Sequence, residues 1–182
     1  MLENGGYYRA DADSNRVEVK RFDDAGDLEW TQTYSFNAIQ RTNLITVIAD
    51  AEEKLFVRGF VYDADTNSNN VEGYLLKFSP DGSLLWDAFY PFQWTYVIPS
   101  SFVTTPDGGC MFNNFAALVP NSFSNENILR FDGAGNLQWS HSPYNGRLWP
   151  NFDGAVFDVN SADHTFLFSY IHTSPQTPAI FR

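Results

Sequence analysis

Two stretches of this chain alternate oxygen-bearing side chains in the manner of a loop for a hard cation. They are Asp11-Ala-Asp13-Ser-Asn15 and Asp63-Ala-Asp65-Thr-Asn67-Ser-Asn69. Oxygens at every second position suit Ca²⁺, which takes roughly six to eight of them. Neither stretch has the glycine and the later glutamate that complete an EF-hand loop. Asp11, Asp13, Asn15, Asp63, Asp65 and Asn67 therefore stand as a possible calcium set, against the plainer reading of solvated polar hairpins. A second constellation pairs cations with large rings: Arg41, Trp94, Tyr96, Arg147 and Trp149. Trp and Arg anchor interfaces, and aromatic faces stack on sugars, so these residues fit a platform for protein or glycan. The same rings would also serve to cap apolar ends of the fold, with Pro91, Phe92 and Pro150 close by.

Other chemistry finds less footing. The three histidines, His141, His164 and His172, are neither paired at metal-ligand spacing nor part of a His-Glu-x-x-His helix motif. No Gly-x-Ser-x-Gly elbow is present. Asp153 and Asp158 are the nearest thing to a carboxylate pair, and a glycoside hydrolase needs two carboxyls at a set separation across a cleft. Cys110 is the single cysteine, which rules out an intrachain disulfide and a Cys-based zinc site. These residues lead us to expect a chain that is not an enzyme and that holds no cofactor apart from the possible Ca²⁺. The net charge of −11 and pI near 4.4 disfavour nucleic acid and anionic membranes as partners. No apolar run reaches the length of a transmembrane helix.

The elements that must position these residues announce themselves by repetition. Phe22-Asp-Asp-Ala-Gly26-Asp-Leu28-Glu-Trp30 returns as Phe78 through Gly82 and Leu84 to Trp86, and again as Phe131 through Gly135 and Leu137 to Trp139. Each Phe follows a basic residue (Arg21, Lys77, Arg130), and the spacings are 56 and 53 residues. Between the copies lie a β-branched run, a turn such as Pro106-Asp-Gly-Gly109, and an aromatic strand. Asp-Gly and Gly-Gly between such runs signal hairpins. The unit is therefore four strands, and a strand-built period of this length points to a β-propeller or part of one.

The fold expected is all-β, with about 14 strands in three and a half four-stranded repeats of about 52–56 residues. Residues 1–182 form a single propeller segment, with repeats at about 1–43, 44–98, 99–152 and an incomplete 153–182. Leu and Trp, two apart on one strand, are expected to share a face and fill the space between neighbouring sheets. A partial propeller exposes apolar faces, so further blades, from a longer chain or a second copy, are expected as partners.

The pattern Asp-Gly-Gly, aromatic strand, then Lys/Arg-Phe-Asp-x-x-Gly-x-Leu-x-Trp resembles the propeller repeats of large bacterial secreted and cell-surface proteins. It is carried best by Pro106–Gly109, Ile128–Asp132 and Gly135–Trp139. The second and fourth repeats depart at the Gly-Gly turn, with Glu53-Lys54 and His164-Thr165. The resemblance implies an extracellular or cell-surface location and a structural role for the repeated residues. The function expected is a non-enzymatic scaffold or recognition module that binds protein or glycan through loops at one end. The alternatives are a purely structural spacer and a fragment of a propeller glycoside hydrolase.

Overall fold

The computed structural model describes residues 2, 5–64, 71–92, 102–117, 124–141, 152–159, 166–172, 180 and 181. Fourteen strands are described and no helix is found among these residues. The strands form antiparallel meanders of three, four, four and three strands. The chain divides into two compact units, Met1–Phe92 and Gln93–Arg182.

The first unit holds two sheets. One is β1 (Tyr7–Asp13), β2 (Arg16–Phe22) and β3 (Leu28–Ser35); the other is β4 (Gln40–Ala49), β5 (Leu55–Asp63), β6 (Val71–Phe78) and β7 (Leu84–Phe92). Alternation decides which face of the first sheet is buried. Val17, Val19 and Arg21 of β2 are buried, and the residues between them are only partly covered. Val17 and Val19 pack on Leu55, Val57, Val61, Tyr74, Leu76 and Phe78 of the second sheet, with Tyr8, Trp30, Tyr34 and Phe36 at the margin. Each fully buried aliphatic or aromatic side chain of this kind contributes about 1.5–3 kcal/mol. β5 and β6 are buried on both faces over most of their length, so their sequences run apolar without alternating.

The second unit repeats the design with β8 (Phe102–Thr104), β9 (Cys110–Ala117), β10 (Ser124–Phe131) and β11 (Leu137–His141), followed by β12 (Phe152–Val159), β13 (Phe166–His172) and β14 (Ile180–Phe181). In both units the first strands of adjacent sheets lie side by side, β1 with β4 and β8 with β12. Cys110 is buried.

The turns keep one geometry through changes of sequence. Gly5, Glu53 and Gly108 occupy the same turn position, donating their N–H groups to Leu2, Asp50 and Thr105. All three have positive φ, at 88°, 59° and 74°. Glu53-Lys54 therefore makes the same turn as Gly-Gly, with Glu53 in a conformation that costs a non-glycine residue about 1–2 kcal/mol.

One expectation about packing is corrected. A bulge opposite Arg21/Phe22, and its counterparts opposite Lys77/Phe78 and Arg130/Phe131, places an extra residue (Glu29, Leu85, Gln138) in the strand that carries Leu-x-Trp. Leu28 pairs with Phe22 while Trp30 pairs with Arg21, so Leu and Trp fall on different sides of the sheet. The leucines are exposed at 54%, 43% and 46% for Leu28, Leu84 and Leu137, whereas Trp30 and Trp86 are half-buried.

Candidate recognition surface at the loop end

β1, ascending from the first turn, and β3, returning from the second, both finish at the same end of their sheet. There the β1–β2 hairpin turns through Ser14-Asn15, with Ser14 at φ 53°. Backbone bonds tie this hairpin to the connection that leads into the next sheet. The N–H of Phe36 donates to the Asn15 carbonyl at 2.7 Å, and that of Thr42 donates to the Ser14 carbonyl at 2.8 Å. The Asn15 side-chain amide donates back to the Phe36 carbonyl at 3.0 Å. The N–H of Ala64, just past β5, donates to the Ile39 carbonyl at 2.9 Å. The braced surface presents Ile39, 59% exposed, beside exposed Arg41 and an Arg16–Asp13 ion pair at 3.4 Å. An exposed apolar side chain among charged groups of both signs suits a polar partner that offers an apolar contact.

The residues singled out from sequence separate as follows. Asp11 and Asp13 lie on the same side of β1, not within a loop, and each has an arginine partner, Arg9 at 2.9 Å and Arg16 at 3.4 Å. The Asn15 amide is turned to Phe36, so the three groups do not converge. Asp63 ends β5, opposite Gln40. Among the described residues no cluster of three His, Cys, Asp or Glu side chains could hold a metal ion. Arg41 is on β4, paired with Tyr62, and donates from Nη1 to the Gln40 carbonyl at 3.1 Å. Trp94, Tyr96, Arg147, Trp149, Asp65 and Asn67 lie outside the described residues.

Sequence reasoning missed a second polar cluster, at the turn end. Arg21 donates from Nη2 to Glu53 at 2.7 Å and from Nη1 to the Pro80 carbonyl at 2.8 Å, and its Nε lies 2.7 Å from Glu29. The Tyr8 hydroxyl donates to the Glu53 carbonyl at 2.7 Å; burial raises its pKa, against the opposing pull of Arg21. Trp30 Nε1 donates to the same Pro80 carbonyl at 2.9 Å. Lys77 and Arg130, the counterparts of Arg21, pair with Asp50 at 3.4 Å and Asp107 at 2.7 Å. Lys77 also sits over the Phe56 ring at 4.5 Å. The basic residue before each repeat Phe was the visible signal; its partners, in turns dozens of residues away, were not. The turn aspartates are likewise engaged. Bonds from the Asn136 backbone and side chain and from Ala134 N–H hold the Asp132 carboxyl below the usual carboxylate range.

No protein-family model and no curated protein matches the chain. Solved structures do resemble it. Cobalt-substituted Synechocystis ACO, an apocarotenoid oxygenase, aligns at TM-score 0.51 and 9% identity, over 96% of this chain and 45% of that one. A chimera of ACO and RPE65 aligns at TM-score 0.50 and 9% identity with the same coverage. The chain spans less than half the length of these structures. The likeness shows the fold: all-β, a propeller or part of one. It also corrects the expectation that the chain is not an enzyme, because structures of an oxygenase share this architecture. The missing hydrolase and metalloprotease motifs were too narrow a test, since reactive sites are grafted onto a fold and vary independently of it.

Proposed function

We propose that this chain is a propeller-type scaffold that recognises a protein or glycan partner through its loop end. The observation that supports this reading is the bracing of the β1–β2 hairpin against the segment entering β4, which presents Ile39 and Arg41 on a fixed backbone. A surface ordered before binding loses less entropy when a partner arrives. The resemblance to repeats of secreted and surface proteins supports a partner met outside the cell. The test is a binding screen of the full chain against a glycan array and a panel of extracellular proteins, repeated with Arg41→Ala and Ile39→Asp. Both side chains are exposed, so the expected outcome is loss of at least about tenfold in the specific signal with an unchanged melting temperature. Signals that survive both substitutions would dispose of the proposal.

A second reading, a structural spacer whose partners are other blades, is favoured by the Arg21, Trp30 and Pro80 contacts that lock one sheet to the next.

A further inference from the structure

A cleft runs between the last strands, β3 and β7, of the two sheets in the first unit. Gln32 and Tyr34 of β3 stand opposite Val19 and Val17, and Asp87 and Phe89 of β7 stand opposite Leu76 and Tyr74. Those partners belong to the core between the sheets, so all four side chains face the same cleft. Its turn end is closed by Trp30, which donates to the Pro80 carbonyl at 2.9 Å, and by Gln32, whose Cγ would lie 3.2 Å from a Cβ built on Gly82. Midway, the Tyr34 hydroxyl donates across it to Asp87 Oδ2 at 2.5 Å. Towards the loop end Phe36 forms the floor, its ring 5.0 Å from Tyr34 and 6.3 Å, near perpendicular, from Phe89. The brace through Asn15 fixes Phe36 on both its N–H and its carbonyl.

What the cleft presents to solvent is one ring flanked by hydrogen-bonding groups. Phe89 is 43% exposed, and Asp87 and Gln32 are exposed beside it. Tyr34 occupies one oxygen of Asp87; among the described residues no side chain donates to the other. Burial and the adjoining carboxylate push the Tyr34 hydroxyl up in pKa, so it stays protonated and holds Asp87 in place. Residues two apart on one face of a strand lie about 6.5–7 Å from each other, a span that a single pyranose ring with its hydroxyls covers.

We infer that this cleft binds a neutral sugar, which stacks its C–H face on Phe89 and hydrogen-bonds Asp87 and Gln32 through its hydroxyls. The negative face of the ring attracts C–H groups polarised by the sugar oxygens. A hydroxyl donates to the carboxylate in a charge-assisted bond, and the Gln32 amide both donates and accepts, which matches adjacent hydroxyls. Asp87 has no ion-pair partner among the described residues and the chain carries a net charge of −11, so an acidic sugar is repelled. Protein hot spots fill fully desolvated apolar pockets, whereas here the exposed ring has polar neighbours. The inference takes up the glycan side of the loop-end reading but rests on other side chains, so either can fail alone.

The test is calorimetric titration of the full chain with cellotetraose, maltotetraose, mannotetraose and chitotetraose, and with tetragalacturonate as the acidic comparison. At least one neutral tetramer should bind saturably and tetragalacturonate should not. Phe89→Ala and Asp87→Asn should each weaken that binding at least about tenfold. Asp87→Asn also alters the bond from Tyr34, so Gln32→Ala, at an exposed side chain, provides a second variant: it should weaken binding several-fold with circular dichroism and melting temperature unchanged. Arg41→Ala, which probes the loop-end surface, should leave it intact. No saturable binding of any neutral tetramer, binding of tetragalacturonate alone, or affinity indifferent to Phe89→Ala and Gln32→Ala would overturn the inference. Binding lost in Arg41→Ala and kept in Phe89→Ala would overturn it in favour of the loop end as the sugar site.

Discussion

Glu53 stands in a left-handed turn position where its counterparts are glycine, and the reason lies in what its atoms reach. Its carbonyl takes the Tyr8 hydroxyl and its carboxylate takes Arg21, both on the neighbouring sheet. A glycine would relax the backbone and lose the carboxylate. Arg21 is 8% exposed, and removing it strands Glu53 and Glu29. Arg21→Met should therefore lower stability by roughly 2–3 kcal/mol in urea unfolding, less than a fully buried pair because Glu29 is partly solvated. Asp107 offers a pH signature. Burial alone would raise its carboxyl, but the Thr105 hydroxyl, the Gly109 N–H and Arg130 together hold it below the usual value. A folded-state pKa below the unfolded one contributes stability above about pH 4, lost as the pH falls through the folded value. The stability difference between the native chain and Asp107→Asn should be constant near neutrality and shrink below about pH 4.

At the scale of elements, the repeated phrase was legible because each residue in it answers a local demand. The glycine supplies positive φ, the aspartate or serine bonds its own turn, and the apolar runs build strands. The side taken by Leu and Trp was not legible. A residue spacing of two reads as one face, and only the pairing register reveals the bulge that separates them. The turn at Glu53 was legible from its place in the repeat although Glu53-Lys54 depart from Gly-Gly, because its hydrogen bonds are made by the backbone and survive the change of residue type. Gly26 and Gly82 separate conformation from packing. Both have φ near 90°, at 88° and 89°, but only Gly82 lies under the Trp30 ring. Gly26→Ala should cost about 1–2 kcal/mol from backbone strain alone. Gly82→Ala should cost measurably more, because the indole must give way and loosen its bond to Pro80. Equal losses in parallel thermal melts would show that Trp30 contributes little to the contact.

At the scale of the molecule, cohesion within the first unit lies in the contact between its two sheets, whose residues come from turns and strands far apart in sequence. The candidate site was legible only in part for that reason. The arginine, tryptophan and Asp-rich stretches stood out by type, but what brings Asn15 to Phe36, or Arg21 to Glu53, is pairing across dozens of residues. In such an architecture stability approximates a sum of sheet terms and nearest-neighbour terms, so weakening one interface should loosen one sheet before the rest. Trp30 is the natural place to test this, since it touches the neighbouring sheet through both its ring and its N–H. Trp30→Ala should speed amide exchange throughout β1–β3, while β5 and β6, buried on both faces, keep their protection. Exchange that accelerates equally in β5 and β6 would mean that the first two sheets open together, and that the contact between them is no weaker than the sheets themselves.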